Sequence, residues 1–216
     1  MKNQRIRITF SKTEAMRYTG HLDLILTWER TFRRAGLPLS YSEGFNPRPV
    51  INLASPLPLG FTSTAEIGDF WLSEIIDPDK ISTALASSLP PGLIIHQINI
   101  LEKIHGNKLP GLVERSEYSI SLIGDHPDLK QKINLLLKSS TCVRTRKGKE
   151  YDLRPLVHDI ALETDQEGTS SAMRISLYTL PTGTGRPDEV LSALKIPPSE
   201  AIICRTAIVL KKGKDN

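Results

Sequence analysis

Cysteine is almost absent from this 216-residue chain, which holds only Cys142 and Cys204. They lie 62 positions apart, and neither belongs to a CxxC pair or has a close histidine. That spacing matches no zinc or iron–sulfur ligand set, so no metal and no cofactor are expected. The two thiols read as free and buried. Long apolar runs are missing too. None approaches the roughly 18 to 20 residues that span a bilayer, so no membrane partner is expected. The opening MKNQRIRITF has neither an apolar core nor a small-residue cleavage site, and a cytoplasmic location is expected.

What is present is the composition of a globular protein: 39% hydrophobic and 24% charged. The length suits one large domain or two of about 100 residues each. The net charge of +4 conceals segregation. Residues 1–50 carry nine Lys/Arg against four Asp/Glu, 138–154 six against two, and 205–216 four against one. The stretches between, 51–137 and 155–204, are each acidic by four. Basic blocks attract phosphate backbones by releasing condensed counterions. A solvated surface of mixed sign is the competing reading.

Local patterns give an order of elements. RIRITF (5–10) alternates as a strand does. From His21 a helix is expected, its apolar set Leu22, Ile25, Leu26, Phe32 and Ala35 broken by Glu29. Gly36 supplies a left-handed helix end, and Pro38 prevents continuation. Arg30, Arg33 and Arg34 occupy the last turns, where cations complement the helix dipole. Leu37–Tyr41 and Val50–Ala54 read as short strands, and Thr64–Ser73 as a longer one packed through Ile67 and Trp71. Asp77-Pro78 starts a helix that runs to about Ser88, and Leu93–Leu101 is a strand. The order repeats after Gly106–Gly111. Strand Glu117–Ile123 precedes helix Pro127–Ser139, then strand material at Thr141–Arg146 and Tyr151–Glu163. A polar turn at Thr164–Ser170, strand Met173–Leu180, helix Arg186–Leu194 and strand Ala201–Lys211 follow. The expected fold is α+β: two tandem ferredoxin-like (βαββαβ) units, 1–105 and 112–212, the first with an extra β-hairpin region.

Four stretches are candidates for function. In Tyr41-Ser42-Glu43-Gly44-Phe45-Asn46-Pro47-Arg48-Pro49 the prolines pre-stiffen the chain. Arg48 can meet a phosphate or carboxylate, and Tyr41 and Phe45 can stack on bases, with Asn46 beside them. Alternatively, Phe45 packs inward and the prolines guide a strand crossing. His21, at a helix start, is a weak candidate for proton transfer and a stronger one for capping or packing. Gly183 and Gly185, followed by Arg186, form a candidate phosphate site, although Asp188 and Glu189 already offer that helix negative charge. Arg144, Arg146, Lys147 and Lys149, with the aromatic Tyr151 and Arg154 in the nearby YDLRPL, suit RNA or an anionic partner. A hairpin tip guarded against edge pairing is the other reading.

RYTGHLDLILTWERTFRRAGLPLSYSEGFNPRPVINLASPLPLG, with YDLRPLV and GTGRPDEVL downstream, resembles the radical SAM-associated (radical SAM-linked) protein family of unknown function. The resemblance spans roughly residues 4–210. It implies an accessory protein, more a binder than an enzyme, that binds RNA or a ribonucleoprotein and works with a separate radical SAM enzyme. The family commonly has Gln where this chain has Glu43 and His where it has Arg48, which moves the loop from catalysis toward positioning. The chain lacks the three-cysteine motif of radical SAM enzymes. A remoter likeness, of fold only, is to RAMP-type CRISPR repeat-processing endoribonucleases. Two alternatives therefore stand beside the accessory binder: a protein-only module for that enzyme, and a metal-independent ribonuclease using His21.

Overall fold

A computed structural model of the chain describes residues 2–164 and 170–212. The polar turn expected at Thr164–Ser170 therefore lies, from 165 to 169, outside the described residues. The fold is mixed α+β, with mostly antiparallel sheets and few helices. It divides into two compact units, Met1–Val113 with Leu210–Asn216, and Glu114–Val209.

Unit one runs β1 (Gln4–Lys12), α1 (His21–Arg34), β2 (Ile51–Leu53), β3 (Thr62–Leu72), α2 (Pro78–Ala86), β4 (Leu93–Leu101) and a single turn, α3 (Leu109–Leu112). Its strands lie in the order β4-β1-β3-β2, each neighbouring pair antiparallel. The alternation read in β1 has a clear cause. Ile6, Ile8 and Phe10 are wholly buried in a core with Trp28 and Phe32 of α1 and Phe70 of β3. Trp28 meets Phe10 edge-on at 4.9 Å, and Phe32 stacks on Phe70 at 4.9 Å, a geometry that adds to simple area burial. On the opposite face of β1, Arg7 donates to both oxygens of Asp69 at 2.7 and 2.9 Å, and Arg5 donates to Oδ2 at 2.5 Å. Asp69 is wholly buried.

The end of α1 follows its sequence closely. Gly36 has φ +67°, and the Leu37 and Gly36 amides return to Phe32 O and Arg33 O. The face of α1 does not. Leu24, Trp28, Thr31 and Phe32 point inward, whereas Leu22 and Leu26, expected in the core, face solvent. The helix has apolar residues on two sides, and the larger ring system took the core. Leu37–Tyr41 is not a strand either. It makes isolated bridges at Leu39 and Tyr41, because Pro38 has no amide to give and only its carbonyl reaches Ser73 N. Asp77 caps α2 as expected, accepting from Asp79 N and Lys80 N.

Unit two runs β5 (Val113–Leu122), α4 (Leu129–Lys138), β6 (Val143–Arg146), β7 (Lys149–Asp152), β8 (Val157–Thr164), β9 (Ser170–Leu180), β10 (Gly183–Thr184), α5 (Pro187–Ala193) and β11 (Ala201–Leu210). β5 lies between β9 and β11. β8 pairs antiparallel with most of β9, and β10 takes the remaining positions at Thr179 and Leu180. Tyr118 and Ile120 stand opposite Ile175 and Met173 in the register, all four buried. Leu129, Ile133 and Leu136 bury one face of α4, as their spacing predicts. Cys142 and Cys204 are free, as expected, but half-buried rather than buried.

Candidate nucleic-acid interface

The basic stretch of unit two is a two-stranded hairpin. Arg146 pairs with Lys149 across a two-residue turn, Lys147-Gly148, whose φ angles are +50° and +75°. Two positive φ values in succession make a type I′ turn, which matches the twist of the strands it joins. Residues directly opposite share a face, so Arg144, Arg146, Lys149 and Tyr151 stand together on one side. That side meets α5. Arg144 donates to Ser192 Oγ, and Arg144 and Arg146 form ion pairs with Glu189 at 3.9 and 3.7 Å. The Tyr151 hydroxyl donates to the same carboxylate. Burial, and then this bond, push its pKa up to about 12.

The hairpin leaves through YDLRPL, and that motif is a brace. Asp152 Oδ1 accepts from Cys142 N at 2.7 Å and from Arg154 N at 3.0 Å, closing the hairpin base. Arg154, expected to face RNA or a partner, instead turns inward. It donates to Leu137 O at 2.9 and 3.2 Å and to Val157 O at 2.9 Å, tying the end of α4 to β8. Carbonyls at a helix C-terminus lack partners within the helix, and a guanidinium is well shaped to supply them.

The same exit brings the hairpin beside the glycine loop. Gly185 N donates to Tyr178 O at 2.9 Å. A Cβ at Gly185 would lie 2.8 Å from Leu177 Cβ and 2.9 Å from Leu156 O, so no larger residue fits there. Arg186 donates twice to Asp188, at 3.0 and 2.8 Å. The amide of Gly185 and the guanidinium of Arg186 are thus spent inside the fold, and α5 has only seven residues. Of the expected phosphate cradle at Gly183, Gly185 and Arg186, only Gly183 and Arg186 line a groove, as part of its wall. Facing them across this groove of about 380 Å³ are Arg146, Lys147, Lys149 and Tyr151. Among the described residues, Lys147 and Lys149 have no ion pair or side-chain hydrogen bond. Lys149 and Tyr151, part of the basic stretch and its aromatic neighbour, join the site, whereas Glu189 is not among the expected residues. The period-two spacing Arg-x-Arg, Lys-Gly, Lys-x-Tyr is the signal that points to the first two.

In unit one the proline loop is closed on itself. Tyr41 bridges Pro49, Ser42 N donates to Arg48 O at 2.8 Å, and Arg48 N donates to Ser42 Oγ at 3.0 Å. Gly44 takes φ +117° at the turn. Tyr41 to Arg48 are all exposed. Phe45, at 106% relative exposure, is fully outside, which overturns the inward-packing alternative. Asn46 stands beside it. The Tyr41 hydroxyl donates to Glu29 Oε1 at 3.1 Å, fixing the loop base to α1, and burial together with that bond raises its pKa. Arg30, Arg33 and Arg48 are exposed, and none has an ion pair among the described residues. Arg34 is different: it donates to Thr31 Oγ1 and to Ser88 O at 2.8 Å, bracing α1 against the end of α2. His21 opens α1, half-buried and engaged within the fold.

A model of the family described as "Uncharacterized protein conserved in bacteria (DUF2344)" matches residues 5–187. The chain belongs to that family. The DUF2344 match takes in α1, the proline loop, the hairpin and the glycine loop, and stops as α5 begins. No curated protein matches the chain. Among solved structures, similarity is found to a chain in a Cbf5-Nop10-Gar1 complex, with 12% identity, 94% of this chain and 48% of that one covered, and a TM-score of 0.47. The archaeal box H/ACA sRNP Nop10-Cbf5 complex gives 13% identity, 93% and 46% coverage, and a TM-score of 0.41. The acetolactate synthase small subunit of Thermotoga maritima gives 12%, 97%, 96% and 0.27. The chain spans about half the length of the first two. Scores below 0.5 carry no functional weight. Among the described residues there is no helix long and apolar enough to cross a membrane, and no cluster of metal-binding side chains.

Proposed function

We propose that this DUF2344 protein is a non-catalytic accessory protein that binds RNA or a ribonucleoprotein and works with a separate radical SAM enzyme in the cytoplasm. The observation that carries the RNA reading is the basic groove of unit two. There Lys147 and Lys149, unpaired among the described residues, stand beside Arg146 and Tyr151 against the glycine loop. Mobile ammonium groups next to an aromatic ring suit a phosphate backbone with bases stacked at its side. The radical SAM partner rests on the resemblance carried by HLDL, FRRAGLPLSYSEGFNPRP and DLRPL. We take both units as ferredoxin-like, with domain limits of 1–105 and 112–212; the antiparallel order β4-β1-β3-β2 in unit one supports this for the first of them.

The test is fluorescence anisotropy of a labelled single-stranded RNA 20-mer titrated with the full chain between 50 and 200 mM salt. Binding weakens with salt, and Lys147→Ala/Lys149→Ala lowers the log–log slope by roughly 1.4, about 0.7 for each single-strand phosphate no longer neutralised. No binding at 50 mM salt overturns the reading. A second reading, a protein-only module, is favoured by the fully exposed Phe45 on a closed loop. It predicts that deleting residues 43–49 abolishes co-purification with the radical SAM enzyme while leaving RNA binding intact. The ribonuclease reading requires RNA cleavage that disappears in His21→Ala; cleavage that survives removes it.

A further inference from the structure

Helix α1 has two apolar sides, and only one is used by the core. Leu24, Trp28 and Phe32 are at most 3% exposed, whereas Leu22 is 74% and Leu26 46% exposed. At 100° per residue, Leu22, Leu26, Glu29 and Arg33 form one stripe on the side away from that core, with Arg30 at its margin. The stripe joins the proline loop directly, because Tyr41 at the loop base donates to Glu29. Two leucines one helical turn apart, a fully exposed phenylalanine and three arginines thus belong to one exposed region of unit one. Folding does not need this arrangement: the leucines add nothing to the core, and Arg30, Arg33 and Arg48 make no ion pair among the described residues.

We infer that this surface docks an amphipathic helix of a partner protein, apolar along one side and acidic at the end that meets Arg30, Arg33 and Arg48. The spacing of the leucines is that of anchors read by a helix-in-groove contact. From Leu22 to Arg33 the stripe is about 16 Å long at 1.5 Å per residue, which suits three turns of a partner helix. The charges set its direction. Of the acids nearby, Asp23 lies at the far end of α1, Glu29 is held by Tyr41, and Glu43 on the loop is outnumbered by Arg30, Arg33 and Arg48, so the positive end is the C-terminal one. Aliphatic side chains gain little against RNA, which presents phosphates, sugars and flat bases. A second copy of this chain would bring the same three arginines rather than the acids that neutralise them. The proposal is independent of RNA binding in unit two.

The probe is a fluorescein-labelled 18-residue helical peptide with leucines spaced three and four apart and glutamates grouped at one end, read by anisotropy against the full chain. Saturable binding is expected, weakened about tenfold or more by Leu22→Ser/Leu26→Ser and separately by Arg33→Glu/Arg48→Glu. Lys147→Ala/Lys149→Ala should leave it unchanged. Leu26→Glu, which opposes the peptide's acids, serves as a second variant should the double serine change shift the thermal midpoint. Four results overturn the proposal. They are no saturable binding, equal binding of a scrambled peptide, loss of RNA 20-mer binding in Leu22→Ser/Leu26→Ser, and a wild-type self-association that the same variant abolishes in sedimentation.

Discussion

The two units use arginine in opposite ways. In unit one, two arginines of β1 converge on one carboxylate that is wholly buried, while the arginines of α1 and the proline loop stay outside without ion pairs among the described residues. In unit two the arginines nearest the surface are the ones engaged. Arg144 and Arg146 share Glu189, Arg154 ties off a helix, and Arg186 closes on Asp188. Around the groove, the cations without an ion pair among the described residues are Lys147 and Lys149, at and beside a turn. Burial sets the stakes of an ion pair, since removing one partner of a dry pair strands a charge that water cannot reach. A half-exposed pair loses little, because solvent takes over. The free cations differ as well. Arginine is a planar fork that meets carboxylate or phosphate in a fixed geometry, whereas lysine is a compact charge on a flexible stem. The contrast is what the proposed roles, a protein contact in unit one and an RNA contact in unit two, rest on.

The sharpest way to break this comparison is to remove the acid from each cluster. Asp69→Ala should cost about 3 to 5 kcal/mol, because Arg5 and Arg7 are left in the interior with no counter-charge at that point. Glu189→Ala should cost roughly 1 kcal/mol, less than Asp69→Ala, since Arg146 is 41% exposed and can hydrate. Urea unfolding measures both when followed by far-UV circular dichroism, because Trp28 and Trp71 both lie in unit one. Equal losses would mean that the units do not differ in how their charges are held.

Next in size is Arg154→Ala, expected to cost about 1 to 3 kcal/mol by leaving carbonyls at the end of α4 and at Val157 without their donor. Its RNA salt slope should stay at the wild-type value, which distinguishes a brace from a phosphate contact. This is where sequence reading reaches its limit. Pro, Gly and Asp act through local backbone geometry, so the Gly36 helix end and the Asp77 cap are legible from a few residues. The alternation of β1 is legible because one buried face enforces it. What an arginine points at depends on which segment returns beside it from elsewhere in the chain. Arg154 meets Leu137 across the hairpin by such a return, and Arg144 meets Ser192 by a longer one. The inner face of α1 escapes sequence reading for a related reason. Leu22 and Leu26 fit a helical stripe as well as Leu24 and Trp28 do, and only the position of Phe10 and Phe70 decides between them.

A smaller effect compares the free cations directly. Arg33→Ala/Arg48→Ala should change the RNA salt slope by well under one, while Lys147→Ala/Lys149→Ala lowers it by roughly 1.4. All four side chains are exposed, so both variants should stay within about 0.5 kcal/mol of the parent in stability. A reversal of the two slopes would place the RNA on unit one and remove the contrast.

The smallest expected effect concerns Tyr151. Its hydroxyl donates to Glu189, and ionising it would set a phenolate beside a carboxylate in a partly dry site, so its pKa is pushed up to about 12. The unfolded phenol titrates near 10. With the folded value above the unfolded one, the stabilisation from this group is complete below pH 10 and is lost as the pH rises toward 12. Tyr151→Phe has no such titration. Between pH 9.5 and 11.5 its unfolding midpoint should therefore fall less steeply than that of the parent, and the absorbance rise of tyrosinate should lose its latest component. Tyr41, also raised by burial and a bond to an acid, is the control in unit one. Its side chain is exposed whereas that of Tyr151 is half-buried, so Tyr41→Phe should alter the alkaline limb less than Tyr151→Phe does. If the two tyrosines changed it equally, the hairpin would be no drier than the open loop, and Arg144, Arg146 and Tyr151 would pack only loosely around Glu189.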